Sequence, residues 1–370
     1  MTLWGHTSTF NICRPANVKS GGVTPYVLIR ENYMSCRLAI AGVTGAVGQE
    51  FLKILEQRDF PFDSARMLAS SRSAGKSVQF KGKEYRIEEL TSGSFDGIDI
   101  ALFSAGGDRS RRFAPAAVKA GAVVVDNSSA FRMDEDVPLI IPEINPQEIS
   151  RHKGIIANPN CSTIIGIVPV WPLHKANPVK RMVVSTYQAA SGAGQKAMTE
   201  LENQTREVLE GKAPTCSAFA YQIAFNVFSH DSKIDSTGYN TEEMKMVHET
   251  RKIFACPDIA ITCTCIRIPV LRAHCESINL EFSDPITPEQ ARDLLDTAPG
   301  VEVLDDRVGN RFPMPIDATG RDEILVGRIR QDFSIPDKRG INLWVAGDQL
   351  RKGAALNAVQ IAEKLPPVSN

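Results

Sequence analysis

The chain contains no run of eighteen apolar residues, so no membrane-spanning helix is written into it. It has no excess of either charge: 42 Lys and Arg stand against 43 Asp and Glu, a net charge of −1. A basic surface for nucleic acid or anionic lipid is therefore not expected. C-x-x-C pairs are missing too. Eight cysteines, Cys13, Cys36, Cys161, Cys216, Cys256, Cys263, Cys265 and Cys275, are scattered over 370 residues. That distribution excludes a disulfide framework and suits a reducing, cytoplasmic compartment. Cys263 and Cys265 alternate in a strand-like run and so share a face, but no second cysteine or histidine pair offers further zinc ligands, and no metal is expected. Residues 1–33 lack both the apolar core of a secretory signal and the Arg-rich amphipathic pattern of a transit peptide. They are polar, punctuated by Gly and Pro, and without periodicity. We expect this leader to be disordered and outside the fold, with Met34, directly before the first strand, as the native start.

What is present is a globular composition, 43% hydrophobic and 23% charged, with length for two domains. Cys36 to Ala41 reads as a short apolar strand, Gly42-Val-Thr-Gly45-Ala-Val-Gly48 as a turn, and Glu50 to Arg58 as a helix carrying Phe51, Leu52 and Leu55 at helical spacing. Glycines at such a strand-to-helix turn let the backbone approach a pyrophosphate, whose charge then meets the helix N-terminus. The spacing G-x-x-G-x-x-G departs from the commoner G-x-G-x-x-G, but its context supports a nucleotide site using Gly42, Thr44, Gly45, Ala46 and Val47. Further strand-like runs at Arg66 to Ala69, Ile98 to Phe103 and Ala122 to Val125 alternate with segments read as helices. This predicts an α/β fold whose N-terminal part is a Rossmann-like, doubly wound parallel sheet. A carboxylate for the ribose 2′-hydroxyl is missing after the second strand. Ser70, Ser71, Arg72 and Ser73 stand there instead, and their guanidinium and hydroxyls suit a 2′-phosphate, hence NADP; a solvated loop is the alternative for Arg72. Ser104, in Ser104-Ala105-Gly106-Gly107, is expected to close over the cofactor.

Asn158-Pro-Asn-Cys161-Ser-Thr163 places one cysteine where a loop hands over to the apolar run Ile164 to Val168, which reads as a helix start. Unpaired N–H groups and the positive end of the helix dipole favour the thiolate there, so Cys161 is the candidate nucleophile; a buried cysteine acting as a small hydrophobe is the alternative. Four further segments carry polar residues unexplained by composition. Arg132, in Asn127-Ser-Ser-Ala-Phe-Arg132, is a candidate anion clamp. Gln188 ends a strand that runs into the small-residue turn holding Ser191 and Gly192, placed to orient a carbonyl and meet a nicotinamide. Glu242 and Lys245, three apart at an amphipathic helix start, share a face, with a surface ion pair as the plainer reading. In the strand-like stretch Cys265 to His274, Arg267 is a candidate carboxylate fork and His274 a candidate acid/base. Cys275 beside His274 must point to the opposite face, so the imidazole would serve Cys161 from across the fold.

From Met34 onward, about nine tenths of the chain resembles the aspartate-β-semialdehyde dehydrogenase family. The motifs G-V-T-G-A-V-G, S-S-R-S-A-G-K, F-S-A-G-G, N-S-S-A-F-R, N-P-N-C-S-T, Y-Q-A-A-S-G-A-G, E-E-M-K, R-I-P-V-L-R-A-H and K-G-A-A-L-N occur in that family's order. The resemblance implies that Cys161 attacks the semialdehyde carbonyl, NADP takes the hydride, and phosphate displaces the acyl-thioester to give L-aspartyl-4-phosphate, a step in lysine, methionine, threonine and diaminopimelate biosynthesis. It implies His274 as acid/base and Gln188 as the residue positioning the thioester. Arg267 would fork the substrate carboxylate, Glu242 meet its amino group, Arg132 and Lys245 bind phosphate, and Gln349 meet the nicotinamide. It further implies an NADP-binding domain of 34–160 completed by a C-terminal helix within 349–366. The remainder, 161–348, would be an α+β catalytic and dimerisation domain with a mixed sheet, including strands at Asn279 to Phe282 and Ile324 to Ile329, with a homodimer formed through Val183 to Phe333. The two cationic residues beside the cysteine are expected to depress the thiol pKa. Two rivals share parts of this pattern. N-acetyl-γ-glutamyl-phosphate reductase has an acylated substrate amine and no use for Glu242, and a catalytically silent nucleotide sensor would lack Cys161 or His274.

Overall fold

A computed structural model describes residues 36–366; the expected leader lies outside them. The first sheet begins with β1 (Cys36–Ala41), whose side chains are almost all buried, as a strand covered on both faces requires. The turn at Gly42 leads into α1 (Ala46–Gln57), which returns the chain to β2 (Phe62–Ala69), parallel to β1. A helical crossover is expected next, but the chain instead forms an antiparallel hairpin, β3 (Ser77–Phe80) and β4 (Lys83–Glu89). Its sequence explains why: Val78 and Phe80, then Tyr85 and Ile87, alternate with polar or charged residues at period two. Lys81 (φ 46°) and Gly82 (φ 71°) supply the two positive-φ positions that a tight hairpin turn demands. Regular alternation resumes with β5 (Ile100–Phe103), α2 (Gly107–Lys119), β6 (Val123–Asp126) and β7 (Ile155–Ala157), giving the order β3-β4-β2-β1-β5-β6-β7.

Next comes α3 (Cys161–Ala176), apolar on nearly every side and packed against the second sheet. That sheet comprises β8 (Val179–Gln188), β9 (Phe228–Ser229), β10 (Ala260–Arg267), β11 (His274–Phe282), β12 (Val301–Val303), β13 (Ile324–Gln331) and β14 (Gly340–Gly347). Interspersed are α4 (Gln195–Leu209), α5 (Thr241–Ile253), α6 (Pro288–Asp296) and the single turn α7 (Pro315–Ala318). The spatial order is β12-β13-β14-β11-β8-β10-β9; β8 runs parallel to β10 and antiparallel to β11, so the sheet is mixed. The strands expected at Asn279 to Phe282 and Ile324 to Ile329 lie within β11 and β13.

Two sequence expectations are corrected here. Cys265 to His274 is not one strand. The chain leaves β10 at Arg267, turns through Pro269, which has no N–H to give a sheet, and enters β11 at His274 after Ala273 in the left-handed region (φ 73°). Nor is Gln349 to Lys364 one α-helix. It opens with a π turn, Arg351–Ala355, followed by α8 (Leu356–Ala362). The wide turn carries the Lys352 side chain into the interior, where its ammonium bonds Glu143 (2.6 Å), Asn357 (2.9 Å) and Gln360 (2.7 Å). From there α8 buries Leu356, Val359 and Ile361 in the same apolar cluster as Leu38 and Ile40 of β1.

Gly42 and Gly48 show what the glycine motif does sterically. A Cβ on Gly42, itself at φ 91°, would stand 2.3 Å from the Ser104 carbonyl oxygen, and one on Gly48 would stand 2.2 Å from that of Gly42. The motif thus packs α1 against β1 and β1 against the end of β5. Gly48→Ala should therefore cost about 1–3 kcal/mol of stability by overpacking. Denaturant unfolding measures it, and a variant as stable as the parent would contradict this packing.

Candidate active site

Cys161 opens α3, and Asn160 caps it by accepting from the N–H groups of Ser162 (3.0 Å) and Thr163 (3.3 Å). Because β8 lies between β10 and β11, the end of β8 at Gln188 is flanked by the end of β10 at Arg267 and the start of β11 at His274. The C-terminal tip of one strand thus gathers three of the candidate side chains, and α3 brings the fourth. Cys161 Sγ stands 3.6 Å from His274 Nε2. Cys275, as expected, turns to the opposite face and packs with Ala346 and Leu325.

The imidazole is oriented by the backbone. The Ala189 N–H donates to His274 Nδ1 at 3.0 Å, so Nδ1 is a lone pair and the neutral ring carries its hydrogen on Nε2, toward the sulfur. Burial, aided by the charge of Arg267, pushes the His274 pKa down to about 3. The same burial, reinforced by Glu242, pushes the Cys161 thiol up to about 12, although Arg132, Lys245 and Arg267 pull the other way. This corrects the expectation of a depressed thiol pKa: the cations are present, but desolvation outweighs them in the protein alone.

Gln188 donates from Nε2 to Ser162 Oγ (2.9 Å) and accepts on Oε1 from Arg267 (3.3 Å). The Arg267 guanidinium is 5% exposed, lies under the Phe219 ring at 5.7 Å, and keeps a buried Nε without a hydrogen-bond partner. Asp231, 3.8 Å away, is the nearest carboxylate to it. Such an unspent donor is what a planar carboxylate would satisfy. Glu242, in the first turn of α5, is buried and joined to Asn160 Nδ2 (2.8 Å) and Lys245 Nζ (2.8 Å). Burial works against its charge, yet the Lys245 ammonium and these hydrogen bonds prevail and hold its pKa at about 2. The surface ion pair considered for Glu242 and Lys245 is therefore a lining pair, with the carboxylate inside.

Arg132 reaches the same place but is already engaged. It donates to the carbonyls of Asn158 (2.9 Å) and Asn127 (3.0 Å) and pairs with Glu249 (3.0 Å), whose other oxygen accepts from the Asn160 N–H (2.6 Å). Sequence reading missed Glu249, Asn160 and the Ala189 amide. Only Asn160 had a local signal, as an N-cap residue before an apolar run. Gln349 accepts from Ala273 N–H (2.9 Å) and donates to Ser191 Oγ. A Cβ on Gly353 would meet both Cys161 Cβ (3.1 Å) and Gln349 Cβ (3.3 Å), so the nicotinamide candidates stand beside the nucleophile. A Cβ on Gly192 would come within 3.0 Å of both Arg267 and His274.

At the far end, Thr44 and Gly45 are exposed above the glycine turn, and α1 has neither a side-chain cap nor an acidic residue in its first turn, leaving its N-terminus open to an anion. Ser71, Arg72 and Ser73 form the turn after β2, with Arg72 exposed. Ala46, Val47 and Ser104 border the same edge. Residues, turn and open helix end fit a dinucleotide with no obstructing side chain. Among the described residues, no group of His, Cys, Asp and Glu could hold a metal.

The dinucleotide-type sheet joined to a second, mixed sheet defines the class of two-domain dehydrogenases. The family model for the NAD binding domain of semialdehyde dehydrogenases matches residues 37–152, and that for their dimerisation domain matches 170–352. The aspartate-semialdehyde dehydrogenase of Synechocystis sp. is 56% identical over 329 residues, covering 89% of this chain and 97% of its own; that of Aquifex aeolicus is 53% identical, covering 90% and 98%. The crystal structure of Vibrio cholerae aspartate semialdehyde dehydrogenase II complexed with ASA superposes with a TM-score of 0.87 at 45% identity, covering 90% and 98%. The Candida albicans enzyme, solved with NADP, shares the fold (TM-score 0.69, 23% identity, covering 90% and 99%). This chain belongs to the aspartate-semialdehyde dehydrogenase family.

The charge arrangement gives a signed expectation. Glu242 raises the thiol pKa, so Glu242→Gln should increase the thiolate fraction and speed iodoacetamide alkylation of Cys161 at pH 8, roughly three- to tenfold. Slower alkylation of that variant, followed by mass spectrometry, would contradict the electrostatics described.

Proposed function

We propose that this protein catalyses the reversible, NADP-dependent phosphorylating oxidation of L-aspartate 4-semialdehyde to L-4-aspartyl phosphate. The observation that carries the reading is Cys161 Sγ at 3.6 Å from His274 Nε2 with an unspent buried guanidinium, Arg267, and a buried anion, Glu242, in the same pocket. A substrate with an aldehyde, a carboxylate and a free ammonium group answers each of these in turn. An acylated amine would leave Glu242 without purpose, which disfavours the N-acetyl-γ-glutamyl-phosphate alternative.

In the oxidative direction the sulfur of Cys161 adds to the aldehyde carbon as its S–H proton passes to the carbonyl oxygen, giving a thiohemiacetal. His274 presents Nε2–H to that oxygen and exchanges protons there, its Nδ1 being held by the Ala189 amide. A bound NADP+ would supply the hydride acceptor, and with the hydroxyl proton released to solvent the adduct would become an acyl-thioester. Phosphate then attacks the acyl carbon, and the sulfur departs as thiolate. Gln188, fixed between Ser162 and Arg267, orients the acyl group. Arg132 and Lys245 are the cations for phosphate; Arg132 makes three hydrogen bonds to the protein and has two further N–H donors to give.

Gly42, Thr44, Gly45, Ala46, Val47 and Ser104 would hold the pyrophosphate end of the cofactor. Ser71, Arg72 and Ser73 would hold its 2′-phosphate, and Ser191, Gly192 and Gln349 its nicotinamide. The absence of a carboxylate from the turn after β2 is what favours NADP over NAD. We assign 34–160 with 349–366 to the cofactor domain and 161–348 to catalysis and dimerisation, supported by the packing of α8 against β1. A cytoplasmic homodimer in amino-acid biosynthesis fits this reading.

The test is an assay of purified protein for phosphate-dependent NADP reduction with aspartate semialdehyde. Cys161→Ala should lower it by about 10⁴-fold or more, and activity surviving that change removes the mechanism. Arg267→Lys keeps the charge but loses the planar fork, so the KM for semialdehyde should rise about 10- to 100-fold; an unchanged KM would mean the carboxylate binds elsewhere.

A further inference from the structure

Arg272, two residues before His274, takes no part in the chemistry above, yet it spans two parts of the molecule. Its Nε bonds Asp348 Oδ2 at 2.7 Å, and its Nη2 stands 3.0 Å from Glu50 Oε1. Glu50 belongs to α1, the helix whose open N-terminus faces the cofactor edge, and it is 3% exposed. Asp348 directly follows β14. Its oxygens also accept from the N–H groups of Gly320 (2.7 Å) and Leu350 (3.0 Å), so it is fully committed where it stands. The next residue, Gln349, holds the Ala273 N–H. Ala273 occupies the left-handed region at φ 73°, which a residue bearing a Cβ adopts only when its surroundings impose it. The imposed conformation directs the chain into β11 so that His274 Nδ1 meets the Ala189 amide and Nε2 faces Cys161.

We propose that Arg272 is a positioning residue that joins α1 at the cofactor end to the His274 backbone, so that seating of the dinucleotide and placement of the imidazole against Cys161 are one linked event. The linkage rests on the cofactor reading given above. Linkage is reciprocal: whatever α1 gains on binding the dinucleotide is felt at His274, and loosening His274 weakens the dinucleotide. Arg351 also pairs with Glu50, at 3.1 Å, but its other side-chain contacts, to Asp322 and Gln57, lead away from the imidazole, and only its backbone N–H turns to Asp348 (3.3 Å). Arg272 is therefore the branch that reaches the active site. Arg272 bonds Asp348 through Nε and sets Nη2, at the other end of its planar guanidinium, against Glu50; a lysine ammonium is compact and lacks that spread.

The experiment compares the parent protein with Glu50→Gln, Arg272→Gln, Arg272→Lys and the double variant Glu50→Gln/Arg272→Gln. Three quantities are read: the rate of Cys161 alkylation in the protein without cofactor, the dissociation constant of NADP, and kcat with KM for semialdehyde. Misplacing the imidazole should lower kcat at least about tenfold in Arg272→Gln with KM within about twofold. Arg272→Lys should recover only part of that loss. Glu50→Gln, on the far side of the bridge, should change the alkylation rate in the same direction as Arg272→Gln, the double variant should go no further, and NADP should bind at least about threefold more weakly in Arg272→Gln. If Arg272→Gln does not fold, Arg272→Lys and Glu50→Gln carry the test. Additive effects in the double variant, an alkylation rate untouched by Glu50→Gln, or kcat losses that merely follow lowered thermal stability overturn the proposal. Because alkylation needs no turnover, a parent protein inactive toward semialdehyde would defeat the proposed function and leave this outcome readable.

Discussion

Cys161 Sγ and His274 Nε2 stand 3.6 Å apart although 113 residues separate them in the chain, and nearly every feature of the site follows from how that contact is held. The sulfur is fixed by the start of α3, an apolar helix packed against the second sheet. The imidazole is fixed by the place where β11 begins beside the end of β8. A shift of β11 by one residue would turn His274 to the opposite face and bring Cys275 inward, since strand side chains alternate. Register in the second sheet, set by buried residues such as Ile278, Leu280 and Phe282 on the same face as His274, thus decides whether the imidazole meets the sulfur at all.

Around that contact the charges are balanced in pairs. Glu249 answers Arg132, Glu242 answers Lys245, and each carboxylate also accepts a hydrogen bond from Asn160. Asn160 therefore caps α3, fixes α5 through both acids, and sits next to the nucleophile. Removing one member of a buried pair leaves an uncompensated charge, a loss of about 3–5 kcal/mol, which binds α5 firmly to this end of the molecule. Beside them Arg267 keeps a buried Nε–H in reserve.

Much of this was readable in the chain. The apolar β1, the glycine turn and the helix after it are local features, and each residue type there has a steric or electrostatic reason that acts within a few positions. Cys161 at a helix start and Glu242 three residues from Lys245 are likewise local. The hairpin of β3 and β4 was legible in principle, from its period-two pattern and the Lys81-Gly82 turn, but an expected α/β alternation obscured it. The π turn at Arg351 was not legible, because it follows from where Lys352 finds Glu143, over two hundred residues away in sequence.

The sequence by itself determined most of the elements, the glycine cradle and which side chains are candidates for chemistry, because propensity, periodicity and capping operate over one or two turns of chain. Tertiary structure alone decided that β8 would lie between β10 and β11, bringing Gln188, Arg267 and His274 to one strand end. It decided too that Ala189 would fix the imidazole and that burial would override the cations at the thiol. Desolvation depends on everything that surrounds a group, and a side chain's environment is assembled from segments that the chain order keeps far apart.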